Sequence, residues 1–126
     1  MAFRILKRRA ARLGAAEIAG LSERDFHLRL EAALWRHGYR VQQDRDGSAL
    51  LLVRGGVETL LRVAPPVDGV DAETVQEAAL AMERRGCGRA VVVARGGFTA
   101  SARRLARASG VELWDGRAVR RALSHV

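Results

Sequence analysis

The sequence is poor in the residues that would cross-link it, span a bilayer or cluster around a metal ion. A single cysteine, Cys87, excludes an internal disulfide and a cysteine-based metal cluster. Only 5% of the 126 residues are aromatic, so the core must consist mainly of Leu, Val and Ala. The longest apolar runs, 49–53 and 90–94, are far too short for a membrane span. The basic N-terminus is not followed by an apolar stretch and therefore does not resemble a secretory signal, so we expect a cytoplasmic protein. We also expect no cofactor.

Acidic residues are also scarce relative to basic ones. The chain has 22 Lys and Arg against 14 Asp and Glu, which gives a net charge of +8. Residues 1–16 and 84–111 contain no acid, whereas residues 42–83 contain eight acids and only three arginines. Such a concentrated excess is typical of proteins that bind phosphate backbones. The expected partner is therefore nucleic acid, with duplex DNA favoured. A homodimer or a larger protein complex remains open, and a membrane partner is not expected.

Residues 1–20 are predicted to form a basic helical appendage. Apolar residues recur there at helical spacing, at Phe3, Leu6, Ala10 and Leu13. The opposite face would carry Arg4, Lys7, Arg8 and Arg12. A helix this short is marginal in water on its own. We therefore expect its apolar face to pack on a protein surface, with the basic face enlarging a nucleic-acid-binding patch.

Residues 21–126 predict a single α/β domain. Ser22 is a candidate N-cap for a first helix that ends near His37, and Thr99 is a candidate N-cap for a later helix. Two adjacent glycines, Gly55-Gly56, are typical of a tight hairpin. Helical spacing and apolar runs predict further helices at 71–85, 100–109 and 116–123, and strands at 41–43, 49–53, 58–64, 90–94 and 111–114. The order of these elements predicts a mixed central sheet with helices on both faces.

Three segments carry a family resemblance. Phe26 through Gly38-Tyr39 gives an F…L…LL…GY helix, and residues 96–99 read GGFT with alanines at 102 and 106. Residues 110–116 read GVELWDG. In this order and spacing the segments resemble the Mrr-type (type IV) restriction endonuclease domain over about residues 21–123. The resemblance implies a restriction-endonuclease-like three-layer fold, in which helices flank a mixed central β-sheet.

The residues that carry the chemistry of that family are replaced here. The resemblance implies an Asp on the second strand, a Gln-x-Lys pair on the third and often an acid on the first helix. Carboxylates hold a divalent cation there, and the Lys assists the attacking water. Alignment through the glycine pair puts Ala49, Arg62, Ala64 and His27 at these positions. A guanidinium only donates hydrogen bonds and is permanently charged, so Arg62 cannot bind a metal ion. Since Lys7 is the only lysine in the chain, a Gln-x-Lys site is excluded by composition.

We therefore predict no catalytic residue and a nucleic-acid-binding role for the basic ones. The candidate contact residues are Arg62, Arg95, Thr99, Arg103, Arg104, Arg107, Arg4, Lys7 and Arg8. The glycines before Thr99 either hold a phosphate on backbone N–H groups or simply form a turn before an N-cap. Two other functions stay open. One is a protein-interaction or membrane-surface scaffold that uses the basic N-terminal helix. The other is a divergent metal-dependent endonuclease with displaced carboxylates at Glu31, Asp46 and Glu58.

Overall fold

The computed structural model describes residues 20–44 and 49–124, with side chains as far as residue 121. Its elements are α1 (Glu23–Arg36), β1 (Arg40–Gln43), β2 (Leu50–Arg54), β3 (Val57–Val63), α2 (Ala72–Arg85), β4 (Arg89–Val93), α3 (Ala100–Ser109), β5 (Glu112–Trp114) and α4 (Gly116–Ser124). This order confirms the one expected from the sequence. The proposed N-terminal appendage, with Arg4, Lys7 and Arg8, lies outside the described residues, as does Asp46.

The five strands form one mixed sheet in the order β1-β2-β3-β4-β5. The first three strands are antiparallel, and β4 and β5 continue the sheet in parallel to β3. Gly55 and Gly56 connect β2 to β3 as a two-residue loop, with φ of 59° and 78°. Positive φ at both positions is the backbone of a hairpin turn whose twist matches the strands, and glycine adopts it without steric cost. Helices α2 and α3 supply the two crossovers of the parallel half.

Side chains of the sheet alternate between two hydrophobic cores. Helices α2 and α3 cover one face, and the core on this side contains Leu60, Val75, Val92 and Ala102. Helices α1 and α4 cover the other face, where Phe26 packs with strand residues such as Leu61. Strand β4 is buried on both faces from Ala90 to Val93, as its continuous apolar run predicts. The predicted three-layer α/β architecture is confirmed. None of the helices in the described part of the chain combines the length and the apolar composition that a membrane span requires.

Both predicted N-caps are present. The Ser22 hydroxyl accepts a hydrogen bond from the backbone N–H of Asp25 at 3.1 Å. The Thr99 hydroxyl accepts one from the N–H of Ala102 at 3.2 Å. These side chains satisfy donors that the first helical turn leaves without an intrahelical partner. The caps fix where α1 and α3 begin.

Gly96 allows the loop before α2 to pack against the turn that follows β4. A Cβ atom at residue 96 would lie 2.2 Å from the carbonyl oxygen of Val67, a distance that requires the backbone to move. We expect Gly96→Ala to lower the free energy of unfolding by about 1–3 kcal/mol, the usual cost of overpacking.

Gly88→Ala is the matched control, since the nearest atom to its added Cβ would be 3.7 Å away. Its effect should stay within about 0.5 kcal/mol. Urea denaturation followed by circular dichroism measures both values. Equal stability of the two variants would contradict the close approach described here.

Candidate nucleic-acid interface

A cleft of about 560 Å³ opens between strands β2 and β3 and the C-terminal half of α2. We call it the arginine cleft. Its lining combines apolar residues with charged ones: Asp44, Ala49, Leu51, Glu58, Leu60, Arg62, Ala81, Arg84 and Arg85. Pairing of Leu50 with Leu61 brings Ala49 across from Arg62 on the same face of the sheet. The structure thus brings together two positions at which the family resemblance expects a metal ligand.

Ala64 belongs to the same face, because strand side chains alternate with a period of two. It is buried in the core that also contains Ala49. His27, by contrast, lies on α1, which covers the opposite face, and it does not line the cleft. Three of the four aligned positions therefore share one face of the sheet, and the fourth, His27, lies on the helix that covers the opposite face.

The side chains at the three aligned positions in the cleft do not fit a divalent cation. Two of the positions are methyl groups, and Arg62 offers only N–H donors. Among residues 20–44 and 49–124, no group of three or more His, Cys, Asp or Glu side chains is arranged to hold a metal ion. The alternative metal site would use Glu31 and Glu58. In the structure, Glu31 lies on α1 and Glu58 lines the cleft, so the two carboxylates are on opposite faces of the sheet.

Two ion pairs organise the charges of the arginine cleft. Arg85 pairs with Asp44, whose side chain is only 6% exposed. Arg62 on β3 reaches Glu77 on α2, with 3.1 Å between its Nη2 and the carboxylate Oε2. The third arginine, Arg84, lines the same cleft. Among the described residues, the basic side of the cleft therefore consists of three guanidinium groups, and two of them already have carboxylate partners.

Cys87 follows α2 and lies close to these charges. Burial raises the pKa of its thiol, and the negative charge of Glu58 adds to that effect, while Arg85 opposes it. The thiol is consequently protonated at neutral pH. A buried, protonated thiol is a poor nucleophile, so Cys87 is not a candidate nucleophile beside the cleft.

The α3 arginines, Arg103, Arg104 and Arg107, are exposed on a helix that has no acidic residue. Helix α2 packs on β3, β4 and α3, whereas α3 packs against β5. The α3 arginines are therefore separated from the arginine cleft by α2. The hydroxyl of Thr99 caps this helix and also lies 3.1 Å from that of Ser101.

Arg95 makes contacts within the domain. Its guanidinium lies 4.3 Å from the centroid of the Phe26 ring and donates a 2.8 Å hydrogen bond to the carbonyl oxygen of Leu21. Burial lowers the pKa of this guanidinium, and Glu23 partly offsets the effect. Arg95 thus joins the end of β4 to the start of α1. A phosphate contact by Arg95 stays a prediction.

The sequence analysis gave no role to several arginines that line the cleft or are exposed on α4. Arg84 and Arg85 line the cleft, and membership of the acid-free stretch 84–111 was the signal available for them. Exposed arginines also occur on α4, at Arg117, Arg120 and Arg121. Since α3 and α4 both pack against β5, basic side chains flank this edge strand from both faces of the sheet.

Comparison with known proteins agrees with this architecture. Residues 18–123 match the model of the Mrr_cat restriction endonuclease family. The chain belongs to this family. A solved structure, the DNA modification-dependent restriction endonuclease AspBHI, superposes with a TM-score of 0.58 at 13% sequence identity. The match covers 97% of this chain and 34% of AspBHI, so the chain spans about a third of that protein's length. No curated protein gives a significant sequence match.

The donor set predicts that the arginine cleft binds no Mg²⁺ or Mn²⁺. Isothermal titration of either ion into the native protein should give no site-specific heat, because Arg62 repels a cation, the two alanines offer no ligand, and the lining carboxylate of Asp44 is already paired with Arg85. A variant with Ala49→Asp, Arg62→Gln and Ala64→Lys restores the residues that the family resemblance expects, and it should gain a site. A divalent ion bound in the native cleft would contradict this reading.

Proposed function

We propose that this chain is a catalytically inactive restriction-endonuclease-like domain that binds nucleic acid, with duplex DNA as its partner. The observation that carries the proposal is the arginine cleft. At the position where the family holds a metal ion, Arg62 stands opposite Ala49, and Arg84 and Arg85 line the same space. The fold is retained, while alanine stands at the aspartate position that the family resemblance expects and arginine stands at the glutamine position.

Arginine at this position can bind a phosphate without a metal ion. A divalent cation links protein carboxylates to a phosphate oxygen, and it also lowers the pKa of its bound water. A guanidinium replaces only the first of these functions, because its planar fork donates two parallel hydrogen bonds to phosphate oxygens. It neither holds nor deprotonates a water molecule for attack. Binding without hydrolysis is the chemistry that follows from Arg62.

The α3 arginines supply a second set of phosphate contacts. They are exposed, and their helix carries no acidic residue to compete for them. The N-terminus of α3, after Thr99, adds the partial positive charge of the helix dipole. Contacts of this kind position a duplex and carry no sequence information. We therefore propose binding that depends on charge and is tolerant of base sequence.

A protein-interaction role is the second candidate, and one observation favours it. Leu28 and Trp35, seven residues apart on α1, are 38% and 54% exposed. Two helical turns separate them, so they lie on the same face of the helix. Exposed aromatic and aliphatic side chains of this kind are typical of protein contacts. Such a surface is compatible with nucleic-acid binding through α3 and the cleft.

Reversing two charges on α3 should weaken binding to all duplexes alike. For Arg103→Glu with Arg107→Glu, we expect the loss of about two phosphate contacts. The slope of log affinity against log salt concentration should then decrease by roughly two. Fluorescence anisotropy with two duplexes of unrelated sequence, at several salt concentrations, measures this.

The matched control is Arg24→Glu with Arg40→Glu, which changes the net charge equally at exposed positions on α1 and β1. It should leave the salt slope nearly unchanged. If both double variants lose the same affinity, α3 is not the contact surface. An affinity that does not depend on salt would favour the protein-interaction role instead.

A further inference from the structure

The ion pair between Arg62 and Glu77 crosses from strand β3 to helix α2 at the arginine cleft. The two side chains are 29% and 46% exposed, and their closest atoms are 3.1 Å apart. An ion pair at this level of exposure contributes little to stability, because water already solvates both charges well. The Glu77 carboxylate is therefore a partner that Arg62 can exchange at low cost.

Arg85 provides the contrast within the same cleft. Its partner Asp44 is almost fully buried, so separating the two would leave a carboxylate without compensation in the interior. The two ion pairs thus differ in kind. Arg85 is fixed by a buried carboxylate, and Arg62 is held by a carboxylate that water can reach.

Arg62 and Arg84 also line a second depression, of about 380 Å³, which adjoins the cleft. Glu77, Leu80 and Glu83 complete its lining. Both arginines therefore border two adjoining spaces, and each space has two carboxylates in its lining. When Glu77 leaves Arg62, two guanidinium groups face the larger space together.

We propose that Glu77 is an internal competitor for the phosphate group, which displaces it from Arg62 when nucleic acid enters the arginine cleft. This inference rests on the proposed function and adds a specificity device to it. A backbone phosphate offers anionic oxygens to the guanidinium fork and can contact Arg84 at the same time. A monovalent anion such as chloride offers neither. The resident carboxylate therefore keeps the cleft closed to weak anions and open to phosphate.

The test compares Glu77→Gln with Glu73→Gln, which removes the same charge one helical turn earlier on α2, at an exposed position outside the cleft. We expect Glu77→Gln to bind duplex DNA roughly two- to five-fold more tightly than Glu73→Gln, the range that loss of one exposed ion pair allows. Arg62→Met should weaken binding. In the Arg62→Met background, Glu77→Gln should give no gain beyond that of Glu73→Gln.

Thermal unfolding of each variant shows whether it is folded. Should Arg62→Met fail to fold, Arg62→Lys keeps the charge and loses the planar fork, and it should reduce the advantage of Glu77→Gln. Equal affinities of the Glu77→Gln and Glu73→Gln variants would overturn the proposal. So would a gain from Glu77→Gln that persists without Arg62, because the carboxylate would then act through general charge alone.

Inorganic phosphate separates this inference from the proposed function. Titration of phosphate, followed by the increase in melting temperature, should show the same order of variants without any nucleic acid. If the native protein binds no duplex DNA but phosphate still distinguishes Glu77→Gln from Glu73→Gln, the nucleic-acid function is wrong. The proposal that Glu77 competes with phosphate for Arg62 is then still supported. If phosphate binding does not depend on Arg62, the proposed competition by Glu77 is wrong, whether or not the protein binds DNA.

Discussion

Strand β3 has to serve two hydrophobic cores at once, and the arrangement of the site depends on this constraint. Leu60 faces the core under α2, and Leu61 faces the core under α1. If the pairing register of β3 shifted by one residue, each leucine would face the opposite core. The same alternation commits Arg62 to the α2 side, on the face that also contains Ala49, the residue before β2. Packing on both faces therefore fixes which side chains line the arginine cleft, independently of any chemistry performed there.

That framework explains how the fold accommodates the residues found at this site. Ala49 and Ala64 are buried and join the apolar core, so these two positions place no polar side chain in the interior. Arg62 is only partly buried and reaches Glu77 at the rim, which lets it keep its charge in contact with water. The buried Asp44 holds Arg85 in place. Of the two carboxylates that line the described part of the cleft, Asp44 is paired with Arg85, and Glu58 is the other.

Much of the fold followed from local signals, and the coupling within the site did not. Caps at Ser22 and Thr99 and the Gly55-Gly56 turn are short-range features, so spacing and residue type predicted them. The faces of β3 followed from its period of two. Contacts between distant parts of the chain, such as Arg95 on Phe26, depend on how helices pack and leave no pattern in the sequence. The partner of Arg62 belongs to this class, because α2 carries several acids and only packing selects Glu77.

The proposed function requires that the domain bind duplex DNA through arginine and without a metal ion. The most direct measurement is the affinity for a duplex in EDTA and in Mg²⁺ at matched ionic strength, with the DNA recovered afterwards and examined by denaturing electrophoresis. We expect binding to be at least as tight in EDTA as in Mg²⁺, and strands of unchanged length in both. Tighter binding in Mg²⁺, together with strand breaks that EDTA prevents, would contradict it.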